Sequence, residues 1–73
     1  MLKCIIIDDE PLAIQLLSDY AHQSQDLELL GAFTNPIEGL HALNELDVDL
    51  IFLDLGLYRA NIQKNLSSAI FFR

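Results

Sequence analysis

The sequence is short of the features that mark most specialised proteins. It has one cysteine, Cys4, so no disulfide can close within the chain, and a lone thiol fits a reducing compartment. Free cysteine is usually buried, and Cys4 reads as a strand residue of the interior. Basic residues are scarce: four in 73, against eleven acids, for a net charge of −7. That balance excludes the basic footprint that direct nucleic-acid binding needs. No stretch approaches the ~20 apolar residues of a membrane span. The segment Met1 to Ile5 is too short before its acidic cluster to serve as a signal peptide. No Cys or His spacing suggests zinc. Gly31, Gly39 and Gly56 form no phosphate loop. Ser67 and Ser68 have no recognisable base partner. A cytoplasmic chain is the expectation, with no membrane and no direct nucleic-acid contact.

What is present is apolar and ordered. Apolar residues make up 52% of the chain, ample for a packed core and against disorder. Seventy-three residues make one small domain, and so short a chain buries only about 60% of its unfolded surface, so its stability is marginal. Charge is unevenly spread. Residues 1–54 hold all eleven acids and a single base, Lys3, for a net of −10; residues 55–73 hold Arg59, Lys64 and Arg73 and no acid, for +3. The break falls directly after Asp54.

Lys3 to Ile7 is a β-branched run bounded by acids, the pattern of a strand buried on both faces. Pro11 suits the first turn of a helix, and the acids Asp8, Asp9 and Glu10 before it favour the positive end of the helix dipole. Ala13, Leu16, Leu17, Tyr20 and Ala21 then recur at helical spacing, which predicts an amphipathic helix over 11–24. Leu27 to Phe33 reads as a second strand. Asn35-Pro36-Ile37-Glu38 is a helix start, with a capping residue, proline at the first position and an acid at the third. Ile37, Leu40, Leu43 and Leu46 mark one face of that helix, which ends near Asp47, and Gly39 weakens it by roughly 1 kcal/mol. Leu50 to Leu53 is a third buried strand, ending at Asp54. The order β-α-β-α-β argues for an α/β fold with a parallel sheet of three to four strands, right-handed crossovers and helices on its faces. Beyond Asp54, Arg59 to Ser67 is compatible with a short helix, and Ala69 to Phe72 with a fourth strand. Phe71 and Phe72 read as core or interface packing, or as an exposed apolar edge where no strand covers them. His22, near the end of the first helix, suits the negative end of its dipole, and His41 reads as facing solvent.

In a parallel α/β sheet ligands collect at the carboxyl ends of the strands. Two strands end there in carboxylates, the first at Asp8 and Asp9 and the third at Asp54. If these strands are neighbours, a spacing of ~4.8 Å brings the side chains together. Three carboxylates at one spot must protonate, spread apart or bind a cation. Oxygen-only ligands select a hard ion such as Mg²⁺, and a carboxylate beside such an ion can act as nucleophile towards an activated phosphoryl group. Acids after strands also cap helices or solvate loops, and either cluster alone reads as well that way. Two such clusters, each closing an apolar strand and separated by a helix and a strand, favour the metal reading.

The run Ile5-Ile6-Ile7-Asp8-Asp9-Glu10-Pro11-Leu12-Ala13 closely resembles the opening of receiver domains of two-component response regulators, and its wording is most like those with a LytTR-type output domain. Leu50-Ile51-Phe52-Leu53-Asp54 resembles the strand that ends at the phosphorylated aspartate of that family. The Asp9-to-Asp54 interval, Asn35-Pro36 and Gly39 resemble it too. The resemblance covers residues 1–54, read as a receiver-like half, with 55–73 as a divergent tail. It implies a partial flavodoxin-like fold, a histidine kinase as partner, Asp54 as phosphoryl acceptor, and Mg²⁺ held by Asp8, Asp9, Asp54 and the backbone of Gly56. It implies a signalling module rather than an enzyme. After Asp54 the pattern departs: Leu57 and Tyr58 stand in place of a methionine-proline step, Ile62 in place of a glycine, and Arg73 in place of a hydroxyl residue. Charge and motif break at one residue, so the tail reads as different in origin and phosphoryl acceptance as impaired. Half of a doubly wound fold leaves apolar surface and a strand edge uncovered, which leads to an alternative expectation, a non-catalytic structural or interaction fragment that forms a homo-oligomer through its exposed sheet edge.

Overall fold

The computed structural model of the chain describes residues 1–54 and the backbone of 69–72. The element order is β1 (Leu2–Ile7), α1 (Pro11–Gln23), β2 (Leu27–Phe33), α2 (Pro36–Glu45), β3 (Leu50–Leu53) and β4 (Ala69–Phe72). The sheet runs β2-β1-β3-β4. β1 pairs parallel with β2 and with β3, as the β-α-β-α-β order requires. The expected fourth strand occupies Ala69–Phe72, but it lies antiparallel to β3, with Leu53 opposite Ala69 and Leu50 opposite Phe72. The sheet is therefore parallel in three strands and antiparallel in the fourth. The short helix expected over 59–67 and the side chains of Phe71 and Phe72 lie outside the described residues.

Alternation along β1 divides the core into two layers. Cys4 and Ile6 point to one face, where they meet Leu50, Phe52 and Ala21, with Ile14 and Leu17 of α1 packed over them. Ile5 and Ile7 point to the other, against Ile51, Val48 and Ala42, with Leu43 of α2 beside them. Cys4, Ile5 and Ile6 are fully buried, and each isoleucine so placed is worth about 1.5–3 kcal/mol of burial. At its other end β3 is pinned to β1: the Lys3 N–H donates to the Asp49 carboxylate at 2.9 Å, and the Asp49 N–H to the Lys3 carbonyl at 2.7 Å.

β2 carries an irregularity. Leu29 stands opposite Cys4 and Gly31 opposite Ile5, so Leu30 is an extra residue in the ladder. One consequence is that Leu27 and Leu29 pack on the α1 face while Phe33 packs on the α2 face, although all three share a parity in the sequence.

The helices sit on the sheet through only some of the residues that the periodicity marks, Leu17 and Ala21 on α1 and Leu43 on α2. On α1 the sheet-facing residues are Ile14, Leu17 and Ala21, whereas Leu16 and Tyr20 are 62% and 61% exposed. On α2 they are Gly39, Ala42 and Leu43, whereas Ile37 and Leu40 are 63% and 56% exposed. Small residues take these places because they let the helix axis come close to the sheet. A Cβ built on Gly39 would stand 2.4 Å from Ile7 Cδ1, so only glycine fits there without a shift. Asn35 caps α2 as its sequence suggests, its Oδ1 accepting from the Ile37 N–H at 2.8 Å. No helix among the described residues is long and apolar enough to cross a membrane.

Candidate functional site

The carboxyl ends of β1 and β3 lie side by side. The register Ile6 to Phe52 and Ile7 to Leu53, carried one step further, sets Asp8 beside Asp54. Two backbone bonds fix that step: the Asp54 N–H donates to the Ile7 carbonyl at 2.9 Å, and the Asp8 N–H to the Phe33 carbonyl of β2 at 3.0 Å. The end of β1 is thus held by β2 at Asp8 and from the β3 side at Ile7.

Asp8 is 5% exposed, the one buried charged residue among those described. Its Oδ1 accepts the Glu10 N–H at 2.9 Å, which closes the turn from β1 into α1. Asp9 is exposed and Asp54 half-buried. One carboxylate oxygen from each of Asp8, Asp9 and Asp54 falls within 4.8 Å of the others. Burial pushes the Asp8 carboxyl above its ordinary value; the charges of Asp54 and Asp9 and a hydrogen bond to the Asp54 side chain add to this, and the Glu10 N–H works against it. The site is therefore a close set of oxygen donors with an excess of negative charge. Mg²⁺ is hard, compact and octahedral at ~2.1 Å from oxygen, and takes one or two carboxylates with waters and a phosphate oxygen. The donor set fits such an ion.

Sequence reasoning singled out Asp8, Asp9 and Asp54, and the fold brings all three to one edge. Gly56, whose backbone was expected to join them, lies outside the described residues, as do Tyr58, Ile62 and Arg73. His22 is exposed in the last turn of α1. His41 is exposed on α2, where it lines a groove with Phe33, Glu38 and Glu45, away from the carboxylates. The role of the Glu10 N–H in holding Asp8 was not foreseen. An acid three residues before a helix-starting proline, two before the residue that caps the helix, is the signal that could have shown it.

The chain is 39% identical over 59 residues to the transcriptional regulatory protein BtsR of Escherichia coli (strain K12), a match covering 81% of this chain and 25% of that protein. It is 42% identical over 57 residues to an uncharacterized response regulatory protein of Vibrio vulnificus (strain CMCP6), covering 78% of this chain and 24% of that one. A response regulatory protein of Shewanella oneidensis is 37% identical over 59 residues, with 81% and 25% covered. The chain spans about a quarter of the length of the curated relatives it matches. No family model matches the chain, and no solved structure matches it. Its α/β sheet, the carboxylate cluster at the strand ends and its likeness to these proteins together support a response-regulator receiver-like domain.

Proposed function

We propose that the chain is the phosphoryl-accepting module of a two-component signalling pathway in the cytoplasm. One observation carries this reading: an oxygen of Asp54 stands within 4.8 Å of oxygens of Asp8 and Asp9 at the carboxyl edge of a parallel sheet. Asp54 is the acceptor and a histidine kinase the donor. An Asp54 carboxylate oxygen attacks the phosphorus of a phosphohistidine, a P–O bond forms, the P–N bond breaks, and the leaving imidazole nitrogen takes a proton from solvent. Asp8 and Asp9, with Asp54, would hold Mg²⁺, which supplies charge neutralisation for the incoming phosphoryl oxygens. Asp8 is fixed for this by the Glu10 N–H, while the more exposed Asp9 and Asp54 remain reachable by a partner. The module accepts a group and passes on a signal rather than turning over a substrate, and with a net charge of −7 it leaves nucleic-acid contact to other segments or proteins. Control of transcription is the matching output, as in the regulator BtsR.

Intact mass after incubation with Mg²⁺ and an acyl phosphate tests the reading. A phosphoryl adduct is expected that disappears on chelation and in Asp54→Asn. An adduct formed equally well in Asp54→Asn, or none from a sample shown to be folded, would overturn it.

A second reading, self-association through the sheet edge, is favoured by the position of β4 at one end of the sheet order. It is compatible with the first.

A further inference from the structure

We infer that Asp49 is a positioning residue for Asp54: by gripping Lys3 at the amino end of β3, it selects the register that sets Asp54 beside Asp8. This rests on the reading of Asp54 as phosphoryl acceptor and deepens it, by naming the residue outside the site on which the site's geometry depends.

The carboxylate site exists in only one alignment of β1 with β3. Ile7 stands opposite Leu53, so the next residues along, Asp8 and Asp54, are neighbours. A shift of one residue would move Asp54 by ~3.3 Å along the strand, to a place opposite Ile7 or Asp9. It would also turn the side chain to the other face of the sheet.

Nothing in the apolar pattern selects that alignment. Register is ordinarily set by alternation, because a slip of one residue carries apolar side chains out to solvent. Here Cys4 to Ile7 and Leu50 to Leu53 are apolar at every position, and both faces of the sheet are covered. A slip exchanges the row Leu50, Phe52 with the row Ile51, Leu53, apolar for apolar. Val48 is buried just before β3, but burial is non-directional. Backbone hydrogen bonds are equally indifferent, since every residue concerned offers the same N–H and C=O. The carboxylates themselves oppose the alignment, because like charges on Asp8, Asp9 and Asp54 favour separation when no cation lies between them.

Asp49 supplies what the apolar rows lack. Its Oδ2 accepts the Lys3 N–H at 2.9 Å, and its own N–H donates to the Lys3 carbonyl at 2.7 Å. Both backbone groups of one β1 residue are thus held by a single residue at the entrance to β3. The bond to the carboxylate is charge-assisted and half-buried, and it forms only where this side chain meets that N–H. A slip of one residue would draw the carboxylate out of reach and leave a half-buried N–H without its acceptor.

Phosphoryl acceptance and strand register, measured together on the 73-residue chain and its variants, test this, with circular dichroism to show folding. Asp49→Asn keeps an oxygen in the same place and should match the parent. Asp49→Ala has no acceptor, and Asp49→Glu keeps the charge but sets it one methylene further out. In both, the rate of adduct formation from an acyl phosphate at limiting Mg²⁺ should fall roughly ten- to a hundredfold, the scale of loss for a misplacement of about 1 Å. Half-saturating Mg²⁺ should rise with it. Asp47→Ala removes an exposed charge two residues earlier and should change neither. Register is read apart from activity, by the nuclear Overhauser contact between the Asp54 amide and Ile7. That contact should persist in Asp49→Asn, and should weaken or give way to a second set of amide resonances in Asp49→Ala and Asp49→Glu. Asp49→Glu carries the test should Asp49→Ala fail to fold. Folded variants with the parent's register, rate and Mg²⁺ dependence would overturn the inference, and so would an Asp49→Asn as impaired as Asp49→Ala. No adduct from the folded parent would overturn the acceptor reading instead, and the register of the variants would still decide whether Asp49 holds β3 in place.

Discussion

The two faces of the sheet are built from the same strands and close in different ways. On the α1 face the rows Cys4, Ile6 and Leu50, Phe52 run on into Asp8 and Asp54, so a dry layer turns into a polar edge. On the α2 face the rows Ile5, Ile7 and Ile51, Leu53 stay apolar, and the helix lies close at Gly39. The covering helices follow suit. α1 reaches the sheet with the side chains of Ile14 and Leu17, which can readjust, whereas α2 places its own backbone over Ile7. One face is adapted to hold a charged group at its end, the other to be rigid.

The largest expected effects probe that difference directly. Truncating a buried isoleucine to alanine costs ~2–5 kcal/mol, the spread reflecting how far the surroundings collapse into the cavity. Ile6→Ala should lie near the lower limit because Ile14 and Leu17 can move in, and Ile7→Ala near the upper because a helix backbone cannot. Equal losses in urea denaturation would break the comparison. In a chain of marginal stability either change approaches the whole folding free energy, so Ile6→Val and Ile7→Val, at ~0.5–1.5 kcal/mol, are the practical pair.

A smaller effect sharpens the same point. Gly39→Ala adds a methyl group that would stand 2.4 Å from Ile7 Cδ1 and 2.6 Å from its Cγ1. Overpacking of this kind costs ~1–3 kcal/mol, against which the better helix propensity of alanine returns roughly 1 kcal/mol. A net loss is expected. Combined with Ile7→Ala, which removes both of those atoms, the two changes should cost less together than separately, as contacting residues do. Strict additivity would mean that α2 already stands off the sheet.

How much of this was legible in the sequence depended on the kind of signal. β2 and β3 begin and end where their apolar runs do, because polar residues bound those runs on both sides. The start of α2 was legible in Asn35 and Pro36, since capping is local chemistry. The helix faces were legible in part. Leu17, Ala21 and Leu43 of the marked faces pack on the sheet, whereas Leu16, Tyr20, Ile37 and Leu40 stay exposed, and on α2 the close contact is carried by Gly39 and Ala42, whose small size is what the interface uses. The extra residue at Leu30 left no clear trace in the run Leu27–Phe33, where leucine fills three of the first four places. The direction of β4 was equally hidden, because a four-residue apolar run has no polarity of its own. The site fared better: acids closing two strands can be read directly, and only the adjacency of β1 and β3 had to come from the fold.

The smallest effect concerns the polar end of the α1 face, and it separates that end from the rest of the row. Asp8 is buried beside Asp54 and Asp9, and burial first, then those charges, raise its carboxyl above the ordinary range. The folded chain then keeps a proton that the unfolded chain releases. Its contribution to stability is full below the unfolded carboxylate value and is lost as pH rises through the raised folded one. In metal-free buffer the stability of the parent, measured against Asp8→Asn, should therefore fall across that window and stay low at neutral pH. The asparagine variant keeps a side-chain oxygen for the Glu10 N–H but has no charge to bury. It should gain about 1 kcal/mol at neutral pH, or roughly 4–8 °C in Tm for a domain of this size, and show no advantage in acid. A gap between parent and variant that is constant with pH would mean that Asp8 is as well solvated as an exposed carboxylate, and the two faces would then differ only in how their helices pack.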